Sequence, residues 1–402
     1  MRVCIEKDVL GTRVPLVVGP DDMCEWQDCQ CDAYLYSRTW RHVHVEHLAK
    51  MAGIPLDKLS LIDPAHIRAF ESLGVNSGPV PWALVLGKDR FKKRIKEVVE
   101  TIQCLMRDPQ LDRYVETYRT TRGFLAGLER PKIDSRLLHE YKLSNESGAS
   151  VLSTLTSFAP REDGLAPEIE YDQVATSTGR LTVSRGPQVL TLPKANRNII
   201  NSKTGGGIYE LDFVSLEPRF ALHMAGVSVA RDVYEDVRAR IGASDISRSD
   251  VKLAVISALY GSSSTSLAGT MGSVQRARKL ISDVKEMFRV DALVSRLRDM
   301  MSRHAGVLHN HYGRPLLDVT ADDKDSKLIS HFIQSSSVDA TLLGFSQFMQ
   351  RVQHLGVKPI YVIHDALLLD VPHSSIEELQ RESAAGVDTT VGHFELGLKK
   401  VS

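Results

Sequence analysis

The stretch KPIYVIHDALLLDVP, at 358–372, decides how this chain is read. Ile360, Tyr361, Val362 and Ile363 form a short apolar, β-branched run that ends on His364 and Asp365. Such runs read as strand. An aspartate weakens a strand and is costly among apolar neighbours, so Asp365 needs a reason to be there. A second stretch, GGGIYELDF at 205–213, has the same character and carries Asp212. Either aspartate alone fits a capped turn. Two such strands paired side by side would place both carboxylates in one hard-oxygen site, of the kind that holds Mg²⁺ together with substrate phosphates. Two metal ions roughly 3.5–4 Å apart would there clamp the attacking and leaving oxygens of a phosphoryl transfer.

Between the aspartates, SRSDVKLAVISALYG at 247–261 reads as a helix, as do the stretches 273–303 and 326–353. Arg248, Lys252, Ile256 and Tyr260 stand four apart and form one slowly drifting stripe on that helix. Ser247 or Ser249 can cap its start. Two cations one turn apart near a helix start suit a triphosphate, and an aromatic beside Gly261 suits stacking on a base. The plainer reading is an amphipathic helix whose basic residues reach into water. Upstream, LGKDRFKKRIKEVVETIQCL puts Phe91, Ile95, Val98, Val99 and Ile102 on one helical face. Residues 88–96 hold six bases, among them Lys92, Lys93 and Arg94, against one acid. That is either a solvated face or a helix that tracks phosphates. Strands interspersed with several helices point to an α+β architecture.

The chain has 402 residues, enough for two or three units. A hydrophobic share of 43% with 25% charged residues excludes wholesale disorder. No run of about 18 apolar residues occurs, so no ordinary membrane span is expected. The start, MRVCIEKDVLG, lacks the apolar core of a secretory signal. Five cysteines, clustered towards one end, do not read as a disulfide framework, and an intracellular, reduced protein is expected. Fifty basic and fifty acidic residues cancel, but a net charge of zero can conceal basic patches.

Residues 24–47, CEWQDCQCDAYLYSRTWRHVHVEH, carry a different signal. Four residues separate Cys24 from Cys29, twelve separate Cys29 from His42, and four separate His42 from His47. These spacings fall within those of a two-cysteine, two-histidine zinc finger, in which Zn²⁺ would be structural. Cys31 and His44 compete as ligands, Cys4 is a more distant one, and a metal-free segment with free thiols is the alternative.

The order of these pieces resembles the polymerase portion of the family A, or polymerase I, DNA polymerases. Thr178-Gly179-Arg180-Leu181, followed by Ser184 and by Pro187 to Pro193, is similar to the TGRL segment of that family. Asp212-Phe213-Val214-Ser215-Leu216-Glu217-Pro218-Arg219 resembles its first catalytic motif, and Arg248, Lys252, Tyr260 and Gly261 resemble its fingers helix. Leu137 to Lys142, Tyr312-Gly313-Arg314, Ile333-Gln334 with Asp339, and His364-Asp365 resemble further segments in the same order. The resemblance covers roughly residues 85–402.

That resemblance implies a right-hand fold with a thumb at 85–155 and palm and fingers at 156–402, the fingers at about 230–310. A possible zinc finger at 1–50 and a connecting segment at 51–84 would precede it. It implies templated addition of deoxynucleotides to a primed DNA template with two Mg²⁺ ions, held by Asp212, Asp365 and the carbonyl of Phe213. Arg248 and Lys252 would grip the triphosphate, with Lys252 a proton donor to pyrophosphate, and Tyr260 would stack in the nascent-pair site. Glu217 would crowd the sugar 2′ position. Arg180 and Gln334 would read minor-groove acceptors, and His364 would touch the primer terminus. The short stretch before the thumb leads to the expectation of no 3′→5′ proofreading exonuclease. The N-terminal module would meet a replication or repair partner, in a bacterial cytoplasm or an infected host if the origin is a phage or mobile element.

The chain also departs from the family pattern. Ala366 stands where a glutamate usually follows His-Asp, Ile256 where the fingers helix usually carries an aromatic ring, and Ser330 where asparagine is common. These departures leave two rival readings. One is a reverse-transcriptase-like enzyme with relaxed template or sugar choice, and the other is an idle DNA-binding scaffold.

Overall fold

The computed structural model describes the chain apart from residues 22, 61–64, 66–67, 70–71, 75–80, 110, 145–147, 229 and 262–263. Part of the segment read as connecting, at 51–84, therefore lies outside the described residues. The chain divides into two compact units, Met1–Ala126 with Tyr312–Leu317, and Gly127–His311 with Asp318–Ser402. No helix among the described residues is long and apolar enough to cross a membrane.

In the first unit the apolar triplets Val3–Ile5 (β1) and Leu16–Val18 (β2) are wholly buried and pair antiparallel. Cys24–Trp26 (β3) adds to the outer edge of β2, and Ala33–Leu35 (β4) runs parallel to β1. The unit also contains helices Val45–Met51 (α1), Lys88–Met106 (α2) and Asp112–Ala126 (α3). The α2 helix buries Val98, Val99, Ile102 and Leu105, the face that its periodicity predicts. The fully buried Arg314 lies over the ring of Tyr114 on α3 at 5.0 Å, and Thr117 Oγ1 of the same helix donates to the Tyr312 carbonyl at 3.3 Å. The Tyr312–Arg314 turn therefore belongs to this unit, far in sequence from the helix it packs on.

The second unit contains Gly207–Phe213 (β5), Leu216–Met224 (α4), Val233–Arg240 (α5) and Arg248–Tyr260 (α6). Then come Val274–Met287 (α7), Val290–Arg303 (α8) and Asp325–Arg351 (α9). Lys358–Ile363 (β6), Ala366–Val371 (β7) and Leu396–Lys400 (β8) finish it. The stretch expected as one helix at 273–303 is two, separated where Arg289 adopts a left-handed backbone with φ 48°. The four strands form an antiparallel sheet in the order β6-β7-β5-β8.

The deciding stretch is thus a hairpin rather than a single strand. Its reversal falls on His364 and Asp365, and His364 takes a φ of 57°. Tight hairpins favour a positive φ at the first central residue because it matches the strand twist. This answers why an aspartate interrupts the apolar run: it sits in the turn, not in the pleat. Behind the sheet, the Phe213 ring packs 5.2 Å from Phe345 of α9. Glycine 344 permits that approach, since a Cβ there would come within 2.8 Å of Phe213 Cζ. A mid-helix glycine costs about 1 kcal/mol, here offset by close packing of helix on strand.

The last aspartate of the hairpin has a different job. Asp370 is 1% exposed and accepts hydrogen bonds from Ser202 Oγ at 2.5 Å, Lys203 N at 2.7 Å and Thr204 Oγ1 at 2.6 Å. It ties the turn before β5 to the end of β7.

Candidate active site

Strand β5 pairs with β7 and β8 so that Asp212 lies opposite Ala366 on one side and Gly397 on the other. Both flanking positions carry minimal side chains, so the carboxylate stands open beside them. Ala366, which stands where the family usually carries a glutamate, is buried beside Asp212, and Gly397 lines the cavity on the other side. The backbone N–H of Phe213 donates to the Asp365 carbonyl at 3.3 Å, which fixes the hairpin turn beside the end of β5.

Asp212 and Asp365 both line a cavity of about 960 Å³. Around it stand Arg180, Glu217, Tyr234, Arg248 and Lys252. Ile256, Tyr260, Gln334, His364 and Lys399 also face it. Burial, then the charge of Asp365, then that of Glu210 push the Asp212 carboxyl up to about 6, while Lys399 and Lys194 pull the other way. A carboxylate that resists ionisation beside a second one makes a site that gains from a cation. Two carboxylates with a neighbouring main-chain carbonyl supply the hard oxygens that Mg²⁺ prefers, so these residues fit that ion. Glu210 behind them is spent on Arg197 and on Lys194 at 3.8 Å.

Helix α6 supplies the cationic wall. Ser247 caps it by accepting from Asp250 N, as its sequence suggested, and Gly261 ends it in left-handed backbone, φ 71°. A Cβ at Gly261 would meet Ser326 Cβ at 2.4 Å, so only glycine fits. Tyr260, at the helix end, gives its hydroxyl proton to Glu217, and Arg180 Nη2 donates to the other Glu217 oxygen at 3.1 Å. Burial and the Glu217 charge hold the Tyr260 phenol far above its ordinary value. Three residues singled out separately in the sequence therefore form one chain of hydrogen bonds. Arg248 pairs with Asp232, and both it and Lys252 lie over the ring of Tyr234. Asp232 and Tyr234 went unnoticed in the sequence, where an acid and an aromatic before a helix have no distinctive spacing.

No protein-family model matches the chain, and no curated protein matches it. Among solved structures, the POL domain of Pol1 from M. smegmatis, in complex with DNA primer-template and dNTP, superposes with a TM-score of 0.56. The match covers 90% of this chain and 78% of that one at 14% sequence identity. The chain has the fold of a family A polymerase domain. Within that polymerase fold, Asp339 of α9 is fully buried and accepts from Asn310 Nδ2 at 2.7 Å, a contact that ties the helix to the segment before it.

Elsewhere the sequence reading needs correction. The zinc-finger expectation does not survive the fold of the first unit. Cys24 lies on the exposed edge strand β3, whereas His47 Nδ1 is bonded to Tyr118 OH at 2.8 Å. His42 stacks on Tyr34 at 3.8 Å and bonds Ser37 Oγ at 2.8 Å. Cys29 instead faces Cys31, Sγ to Sγ 3.4 Å. Among the described residues no three His, Cys, Asp or Glu side chains are disposed to hold a metal. The finger spacing was met by coincidence, because the segment pairs into a sheet with β2. Arg94 also differs from the reading of a phosphate-tracking face. Its guanidinium donates to the Ser60 and Asp57 carbonyls and to Glu97 within the unit, while Lys92 and Lys93 remain exposed.

Proposed function

We propose that this chain is a template-directed DNA polymerase that adds deoxynucleotides to a primer 3′ end. The carrying observation is that the β6–β7 turn and the end of β5 bring Asp365 and Asp212 into one cavity with Arg248 and Lys252. Asp212, Asp365 and the Phe213 carbonyl would hold Mg²⁺, which when bound activates the primer hydroxyl and neutralises charge on pyrophosphate. Arg248 and Lys252 take the triphosphate, and Lys252 would return a proton to the leaving pyrophosphate. Tyr260 offers a ring to the nascent pair. His364, exposed in the turn, faces the primer terminus, and Gln334 with Arg180 faces the minor groove, where every correct pair offers an acceptor.

The test is extension of a primed DNA template with Mg²⁺ and four deoxynucleotides. Extension supports the reading, while template binding with no extension would identify an idle scaffold. A primer with a mismatched 3′ end, incubated without nucleotides, is expected to stay intact, as it would in a chain without proofreading.

Ile256 favours one variation on this reading. It lines the cavity without the ring the family usually places there, so sugar choice falls more heavily on Glu217. With Glu217 held by Tyr260 and Arg180, its carboxylate cannot swing aside for a 2′-hydroxyl. Glu217→Ala is therefore expected to raise ribonucleotide incorporation relative to deoxynucleotide by about a hundredfold. The ratio of kcat/KM values for one matched nucleotide pair measures it.

A further inference from the structure

Asp232 and Tyr234 stand at the start of α5 and have no part in the chemistry proposed above, yet both are directed at Arg248. The Asp232 carboxylate takes Arg248 Nε at 2.9 Å and Nη2 at 3.1 Å, a two-point contact. The same carboxylate caps α5 by accepting from Tyr234 N at 3.1 Å and Glu235 N at 3.2 Å. It is thus fixed by the backbone before it meets the arginine. Burial disfavours its charge, but the Arg248 pair and the two helix N–H groups outweigh that and hold the carboxyl below its usual range. The Arg248 guanidinium lies 5.1 Å from the centre of the Tyr234 ring, and Lys252 Nζ lies 5.9 Å from it. Tyr234 itself is 7% exposed, a rigid floor rather than a mobile side chain.

We infer that Asp232 and Tyr234 are positioning residues that preset Arg248 for a polyphosphate, a proposal that rests on the nucleotide-site reading above. A guanidinium has five N–H donors in a planar fork. The two-point contact consumes one edge, and the ring fixes the plane. The Nη1 group and the second Nη2 proton remain for a ligand in the cavity that Arg248 lines. An unrestrained arginine gives up rotamer freedom on binding, and here that ordering is done in advance. The carboxylate also repels an incoming phosphate. Asp232 and Arg248 are 43% and 48% exposed, so that repulsion is screened at physiological salt and the orientational gain dominates.

The variant Asp232→Asn tests this, because asparagine caps a helix as well as aspartate and spares α5. At 0.15 M salt, without DNA or Mg²⁺, Asp232→Asn is expected to bind inorganic tripolyphosphate about five- to tenfold more weakly than wild type. Tyr234→Leu, which removes the ring, is expected to weaken it by a similar factor. In primer extension, Asp232→Asn should raise the KM for deoxynucleotide by the same factor with kcat within twofold, a split that a general loss of structure would not produce. Equal or tighter tripolyphosphate binding by Asp232→Asn overturns the positioning role. Failure of the wild type to bind tripolyphosphate, or binding that Arg248→Ala does not weaken, instead overturns the underlying nucleotide-site reading.

Discussion

Asp212→Asn and Asp365→Asn are each expected to reduce primer extension at least 1,000-fold while leaving the protein folded. An amide has the size of a carboxylate but not its charge, and the proposed reaction depends on cations held where the two charges meet. Stability should move the other way for Asp212. Its carboxyl titrates near 6, above the usual value, because burial and the charges of Asp365 and Glu210 oppose ionisation. An acid whose folded value is raised is strained in its charged form above that pH. With chelator present at pH 8, Asp212→Asn is therefore expected to unfold at a slightly higher temperature than wild type. Thermal unfolding and single-nucleotide extension on the same preparations check both halves. Activity within tenfold of wild type in either variant would remove the two-carboxylate centre from the mechanism.

The mirror image of that result is expected five residues along the same hairpin. Asp370→Ala should cost about 3 kcal/mol of stability, because it removes the buried acceptor of three donors, two hydroxyls and the Lys203 N–H, at a partly buried junction. For a unit of this size that is a fall in Tm of roughly 6–10 °C. The chemistry is untouched, since Asp370 lies at the far end of β7 from the turn that carries Asp365. Extension rates at a temperature well below the transition should stay within about threefold of wild type. A Tm within about 2 °C of wild type would mean that the three donors find other acceptors.

The contrast between Asp365 and Asp370 marks how far the sequence could be read. Both are aspartates after apolar runs, and only the resemblance separated them. Local pattern located β5, α2, α6 and the end of β6, because each depends on neighbours two to four residues away. It also set Arg248, Lys252, Ile256 and Tyr260 on one stripe, and all four do face the cavity. What it missed depends on contacts over distance. Asp232 reaches Arg248 across 16 residues, and Tyr312 and Arg314 pack on α3 about two hundred residues upstream. The N-terminal segment misled for a related reason. Ligand spacing was matched, but the apolar triplets at 3–5 and 16–18, a β signal in plain view, draw Cys24 into a strand edge. Arg94 shows the same limit, since charge alone does not reveal that carbonyls at 57 and 60 await it.

Two of the residues that border Asp212 and Asp365 are not glycine, though their backbone asks for it. His364, next to Asp365, has φ 57°, and Ser215, three residues after Asp212, has φ 53°. A side chain in left-handed backbone carries a penalty of about 1–2 kcal/mol. A sequence selected for durability alone would put glycine at both places. Keeping an imidazole and a hydroxyl there means that the heat resistance of this protein is limited partly beside its paired carboxylates. Attempts to make it more heat-resistant should begin elsewhere, because the easiest gains lie where they would erase the imidazole proposed to meet the primer and the Ser215 hydroxyl that bonds Tyr234.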